Sequence, residues 1–127
     1  MLARRVAALA ISFLFISFAA QAKPKRKPAG WMRVAATAYC QHGTTDSGAH
    51  TRRGSVAADP RLIPLGSTIR VKGLQGAPDG IYTVLDTGRA IKGRDIDVFM
   101  PRCAAAKAFG RQKVRVKILT RGTVSTS

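Results

Sequence analysis

The sequence predicts a mainly β fold, a small six-stranded barrel with one short helix. Three observations predict it. Short runs rich in β-branched and aromatic residues recur along the chain, each bounded by Gly, Pro, Asp or Ser. Past the N-terminus a single segment carries helix signals. Strands this short leave exposed edges, and closure into a barrel removes them.

Residues 1–22 carry the marks of a secretory signal. Arg4 and Arg5 open it, Val6 to Ala20 is an uncharged apolar run, and Ala20-Gln21-Ala22 is a small-x-small cleavage site. The run falls short of the roughly 20 residues a spanning helix needs, which favours a cleaved signal over a retained anchor. Residues 23–32 form a basic, proline-broken linker that cannot build a core. It is either an electrostatic tether to the envelope or a plain spacer.

The domain is expected over 33–119. The first strand, 33–40, alternates Val34, Ala36 and Ala38 with Arg33, Ala35, Thr37 and Tyr39. Residues 41–54, rich in Gly, Thr, Ser and His, lack periodicity and read as a long surface loop. A short strand at 55–58 is stopped by Asp59-Pro60. A strand at 67–72 sets Ile69 and Val71 on one face. The stretch 81–99 follows: an apolar run ending on Asp86 at a Thr-Gly turn, then a second run carrying Asp95 and Asp97. Asp86 should sit where a strand leaves the sheet for a loop, a common place for chemistry. Asp95 and Asp97 should share one face of their strand. Residues 101–109 read as the helix, with Pro101 in its first turn and Gly110 as C-terminal cap. The last strand, 112–119, sets Val114, Val116 and Ile118 inward. The tail, 120–127, is expected to fray from Thr120.

Two of the 22 basic residues fall in the signal, so the remainder carries 20 Lys plus Arg against 6 acids, a net +14. Such a field attracts polyanions. An exported protein meets anionic wall polymers and lipid head groups rather than nucleic acid, so no nucleic-acid partner is expected. Two distant cysteines, Cys40 and Cys103, suggest one disulfide in an oxidising compartment.

All six acids are Asp, at 46, 59, 79, 86, 95 and 97. Nearby cations keep carboxylates ionised, whereas a proton donor near neutral pH needs burial or a second carboxylate close by. Asp59, Asp86 and Asp97 lie beside or within apolar runs and are the candidates; Asp46 and Asp79 lie in turn-like surroundings. The plain alternative for any of them is capping a turn. Cys40, His42, His50 and Cys103 match no standard zinc spacing, and neither a Gly-x-Ser-x-Gly elbow nor a phosphate loop occurs. No metal or cofactor is expected. Tyr39 and Trp31 could stack on sugar rings or simply pack.

An ordered set of short motifs runs through the domain: Ala36-Thr37-Ala38-Tyr39, Val56-Ala57-Ala58-Asp59-Pro60, Ile63-Pro64-Leu65-Gly66, Asp86-Thr87-Gly88, Ala90-Ile91-Lys92-Gly93, Ile96-Asp97-Val98-Phe99 and Phe109-Gly110-Arg111. Together they resemble the 3D (three-aspartate) domain family, which is similar to the catalytic barrel of membrane-bound lytic murein transglycosylase A and to stationary-phase muralytic factors. The resemblance implies a double-psi β-barrel. It implies catalytic roles for Asp86, Asp59 and Asp97, with Asp86 the general acid/base. It implies a sugar groove lined by Tyr39, Thr87, Gly88, Arg89 and Lys92. The family usually has Gly after Asp-Thr-Gly. Arg89 stands there in this chain, a cation that either grips an anionic muropeptide or crowds the cleft.

The activity so implied is that of a lytic transglycosylase cleaving peptidoglycan between N-acetylmuramic acid and N-acetylglucosamine, giving 1,6-anhydro ends. The alternatives are a muramidase-type hydrolase of the same bond and a non-catalytic, expansin-like wall-binding module. The expected setting is the periplasm or cell wall. The expected partners are peptidoglycan strands and anionic envelope polymers, met by a monomer.

Overall fold

The computed structural model describes residues 30–123, with five isolated positions before them (12, 14, 16, 17 and 19). The signal expected over 1–22, most of the linker and the last four residues lie outside the described residues, apart from those five positions. No helix of the described residues is long and apolar enough to cross a membrane.

Six strands and one helix follow in the order β1 (Met32–Tyr39), β2 (Ser55–Ala58), β3 (Thr68–Lys72), β4 (Gly80–Asp86), β5 (Asp95–Phe99), α1 (Cys103–Phe109) and β6 (Gln112–Thr120). They close into a barrel ordered β1-β5-β2-β4-β3-β6, with β6 returning to β1. β5 lies between β1 and β2, parallel to the first and antiparallel to the second. β2 lies between β4 and β5, parallel to β4. Each half of the chain thus straddles a strand of the other, the pair of psi-shaped crossings that gives the double-psi barrel its name. No sheet edge is left open.

Strict alternation fills the interior. Val34, Ala36, Val56, Ala58, Ile69, Val71, Val84, Ile96, Val98, Val114 and Val116 all point inward and are buried. Ile63 and Leu65, on the turn after β2, and Phe109, at the end of α1, join this core. β2 is buried along its whole length, as expected of a central strand covered on both faces.

Two expectations need correction. The helix starts at Cys103, so Pro101 precedes it instead of occupying its first turn. The cause is strand pairing: the Met100 N–H still donates to the Tyr39 carbonyl at 2.8 Å, which keeps the chain extended past β5. The tail does not fray at Thr120. That residue faces Thr68 in the barrel, and the Gly122 N–H donates to Ser67 Oγ at 2.9 Å. Closure pairs β6 with β3 as far as Thr120, and the Ser67 bond holds the chain on to Gly122.

Cys40 and Cys103 are joined as a disulfide with Cα atoms 5.0 Å apart, linking the end of β1 to the start of α1 across 63 residues of sequence. Replacing both by Ala is expected to lower the unfolding free energy by about 4 kcal/mol, mainly through the entropy the bridge removes from the unfolded chain. Urea unfolding of the oxidised protein and the double variant measures it; equal midpoints would refute it.

Candidate active site on the outer face of the barrel

Asp86 is the last residue of β4. Simple alternation from the buried Tyr82 and Val84 would send it into the core. An irregularity prevents this. Val56 of β2 faces Val84, but the next residue, Ala57, faces Asp86, so Leu85 is the extra residue of a bulge. Bulges of this kind re-aim side chains. Here it sets Asp86 beside Ala57, whose side chain points away from the core.

Ala57 faces Asp97 of β5 on its other side, and Asp97 in turn faces Thr37 of β1. Thr37, Asp97, Ala57 and Asp86 thus form one row across four strands. The two carboxylates lie two strands apart, with only the methyl of Ala57 in register between them. Asp97 accepts a hydrogen bond from Thr37 Oγ1 at 3.0 Å. Burial pushes the Asp97 carboxyl above its ordinary value, and the Thr37 bond offsets part of that. Asp95 is also on the outer face, since Ile96 and Val98 take the interior. It pairs with Arg111 at 3.0 Å.

Asp86 Oδ1 accepts two backbone hydrogen bonds, from Thr87 N–H at 2.9 Å and Asp46 N–H at 3.1 Å. The Thr87 hydroxyl donates to the Asp46 carboxylate. The Ser47 N–H donates to the Leu85 carbonyl at 3.1 Å. The loop between β1 and β2 is therefore fastened to the end of β4. Asp46 is the neighbour of Asp86 that composition obscured: its Thr-Asp-Ser-Gly setting reads as a plain turn, and no periodicity links it to a residue 40 positions away. Asp79 does what its surroundings imply, accepting the Gly73 and Leu74 N–H groups at 3.1 and 2.8 Å.

Asp59 is buried just after β2. It accepts the Arg61 guanidinium at 2.8 Å, the Arg61 N–H at 3.0 Å and the Gly93 N–H at 2.8 Å. The guanidinium hydrogen bonds first, then the two backbone donors, hold its carboxyl well below the usual carboxylate range. Its contact with Gly93, a residue at φ 62°, fixes the loop that presents the exposed Lys92. Earlier in that loop the chain turns over 88–91, with the Ile91 N–H bonded to the Gly88 carbonyl at 3.0 Å. A Cβ on Gly88 would collide with the Ile91 side chain, so Gly is required there. Arg89 sits on this turn, exposed.

Tyr39 ends β1, on the outer face two residues beyond Thr37. Its ring meets Phe99 edge-on at 5.5 Å, and His42 meets the same Phe99 at 5.2 Å. Its buried hydroxyl makes no hydrogen bond of ordinary geometry, although Ser55 lies beside it. Burial first, then the charges of Asp86 and Asp97, push this phenol up to about 12, so it stays a neutral donor. Trp31 is not brought here; it lies eight residues before Tyr39, just ahead of β1 and roughly 26 Å away, under Lys72 and Arg115 at 5.1 and 5.5 Å. Cys40 and Cys103 are bonded to each other and offer no thiolate to a metal.

The family model of the 3D domain matches residues 54–120, more than half of the chain. The chain belongs to the 3D domain family. Among curated relatives, this 3D domain protein is 40% identical over 98 residues to the putative cell wall shaping protein YabE of Bacillus subtilis, covering 69% of this chain and 23% of that one. It is 39% identical over 97 residues to the cell wall-binding protein YocH of the same organism, covering 69% and 32%. Among solved structures it is similar to the lytic transglycosylase MltA of Escherichia coli, with TM-score 0.54 and 25% identity over 63% of this chain and 28% of that one. The chain spans less than a third of the length of each of these proteins.

Asp59's contribution to stability follows from its depressed folded value: it is complete above pH about 4 and lost as the pH falls below that. The variant Asp59→Asn is therefore expected to be less stable at pH 7 and to show a flatter acid limb. Urea midpoints at stepped pH measure both, and an unchanged acid limb would remove Asp59 from this role.

Proposed function

We propose that this 3D domain protein is a lytic transglycosylase of peptidoglycan, with Asp86 as its general acid/base. The observation that carries the reading is the state of the Asp86 carboxyl. Oδ1 is held by two backbone N–H groups, while Oδ2 has no hydrogen bond among the described residues, on the outer face and in one row with Asp97. A carboxyl gripped by one oxygen keeps its orientation and presents the other to a substrate. The similarity to MltA and to proteins named for cell wall shaping and binding supports a peptidoglycan-acting role in the envelope.

In this reading Asp86 protonates the glycosidic oxygen between N-acetylmuramic acid and N-acetylglucosamine as the bond breaks. The same carboxylate then takes the proton of the muramic acid C6 hydroxyl, which closes on C1 of its own ring and leaves a 1,6-anhydro end. One carboxyl serves both steps and no attacking water is needed. Asp97 forms the far side of the groove, backed by the buried Tyr39 ring. Asp59 holds the Lys92 loop in place against the sugar chain, and its own charge is compensated by Arg61. Thr87 and Gly88 shape the turn beneath the substrate, and Arg89 stands at its rim.

Hydrolysis by a carboxylate pair fits less well. Neighbouring strands lie about 4.8 Å apart, so two strands separate the Asp86 and Asp97 backbones by about 10 Å. That is wide for the roughly 5 Å carboxyl separation of a retaining pair and at the upper end of the roughly 6.5–9.5 Å of an inverting one. A non-catalytic wall-binding module is the second reading, favoured by the cell wall-binding relative.

Digestion of purified sacculi by the wild type and by Asp86→Asn, read by mass spectrometry, tests the proposal. The wild type is expected to release anhydro-muropeptides and the variant at least 100-fold less, the loss typical of removing a general acid. Equal release from both would refute the role of Asp86. Sacculus binding with no release from the wild type would favour the binding module.

A further inference from the structure

A second concavity of about 330 Å³ opens on the outer face, between β1, β5 and β6, lined by Arg33, Ala35, Arg94, Asp95, Arg111 and Lys113 among others. Four cations surround a single carboxylate, and Arg111 already pairs with it at 3.0 Å. Arg33, Arg94 and Lys113 have no carboxylate partner among the described residues. The trough is not a loose patch of surface charge. Its floor is strand: Ala35 faces Asp95 on one side and Lys113 on the other. Its rim is fixed too, because the Arg94 carbonyl accepts the Ala35 N–H at 2.9 Å.

Its position relative to the acids follows from the register. Two residues farther along β1 and β5, on the same face, Thr37 meets Asp97, and two strands across from Asp97 lies Asp86. Two residues of strand make about 6.8 Å and two strands about 9.6 Å, so the near edge of the trough, at Asp95, lies roughly 12 Å from Asp86, with Arg94 just beyond it and Arg33 and Lys113 one or two strands farther round the barrel. A sugar chain across the acid row leaves the trough to one side. An extended peptide of four or five residues reaches about 13–18 Å and would enter it from the Arg94 side. In peptidoglycan such a peptide hangs from the same muramic acid whose glycosidic bond is broken, and it carries carboxylates. Guanidinium forks are the groups best matched to them.

We propose that this trough binds the carboxylates of the peptide arm on the strand being cut, so that the substrate class is peptide-bearing rather than naked glycan. The inference rests on the peptidoglycan reading of the Asp86 site, and its test measures binding rather than cleavage so that the two stand or fall separately. The protein carries Asp86→Asn to block turnover and is titrated with solubilised strands that keep their peptides and with strands stripped of them by an amidase.

Binding to peptide-bearing strands is expected to be about tenfold tighter, the equivalent of one well-made charge-assisted contact. Adding Arg33→Gln, Arg94→Gln and Lys113→Gln should abolish that preference and leave binding to stripped strands unchanged. The matched set Arg70→Gln, Lys107→Gln and Lys117→Gln, which removes equal charge elsewhere, should preserve it. Amidating the peptide carboxylates tests the same point with no further change to the protein, and should also abolish the preference. Equal binding to both kinds of strand, an equal loss in the matched set, or a preference that survives amidation would overturn the proposal. So would tighter binding to a poly(glycerol phosphate) chain, which would make the trough a phosphate site instead. Anhydro release by the wild type alongside any of these results would retire the trough and keep the role of Asp86.

Discussion

The site depends on one irregular step in the strand pairing. Between Val56 and Ala57 on β2, the partner strand advances by two residues, from Val84 to Asp86. Without that step a carboxylate would face a core of Val and Ile, where an unpaired charge costs several kcal/mol. With it, Leu85 takes the extra place and Asp86 turns out beside Ala57. β2 can impose this because it is held from both sides, parallel to β4 and antiparallel to β5. Closure of the barrel fixes the register all round, so the step cannot be relieved by slipping a strand.

The same crossings explain why the site's parts come from such distant segments. The loop between β1 and β2 has to pass the end of β4 to reach its place. In passing, it delivers the Asp46 N–H to Asp86 and the Ser47 N–H to Leu85. The turn after β2 delivers Asp59 to Gly93 in the loop between β4 and β5. Each psi-shaped crossing brings a loop of one half against a strand end of the other. The candidate site is built from those meetings, and the disulfide ties the end of β1 to the start of α1.

Charge is divided with similar economy. The chain is strongly basic, yet its acids are not left to a diffuse cationic field. Arg61 takes Asp59, Arg111 takes Asp95, and two backbone amides take Asp79. Asp97, whose side-chain partner is the Thr37 hydroxyl, is the acid that burial drives toward its neutral form. Most of the cations among the described residues remain on the surface, a field that attracts polyanions.

Much of the barrel is legible in the residues. Val34, Ala36, Ile69, Val71, Val114 and Val116 alternate as buried positions must, because successive side chains on a strand point to opposite faces. Gly and Pro mark the ends of those runs, and Asp86 sits at a strand end as its Thr-Gly turn implies. Pairing is different in kind. Nothing in the local pattern says that Ala57 lies between Asp86 and Asp97, that Asp46 reaches a residue 40 positions away, or that Asp59 spends its charge on Arg61 and Gly93. Sequence by itself determined which residues could face inward and where strands stop, since both follow from short-range sterics and hydrophobicity. Only the tertiary structure decided which acids meet, because strand order, the bulge at Leu85 and the two crossings are set by closing the whole barrel at once.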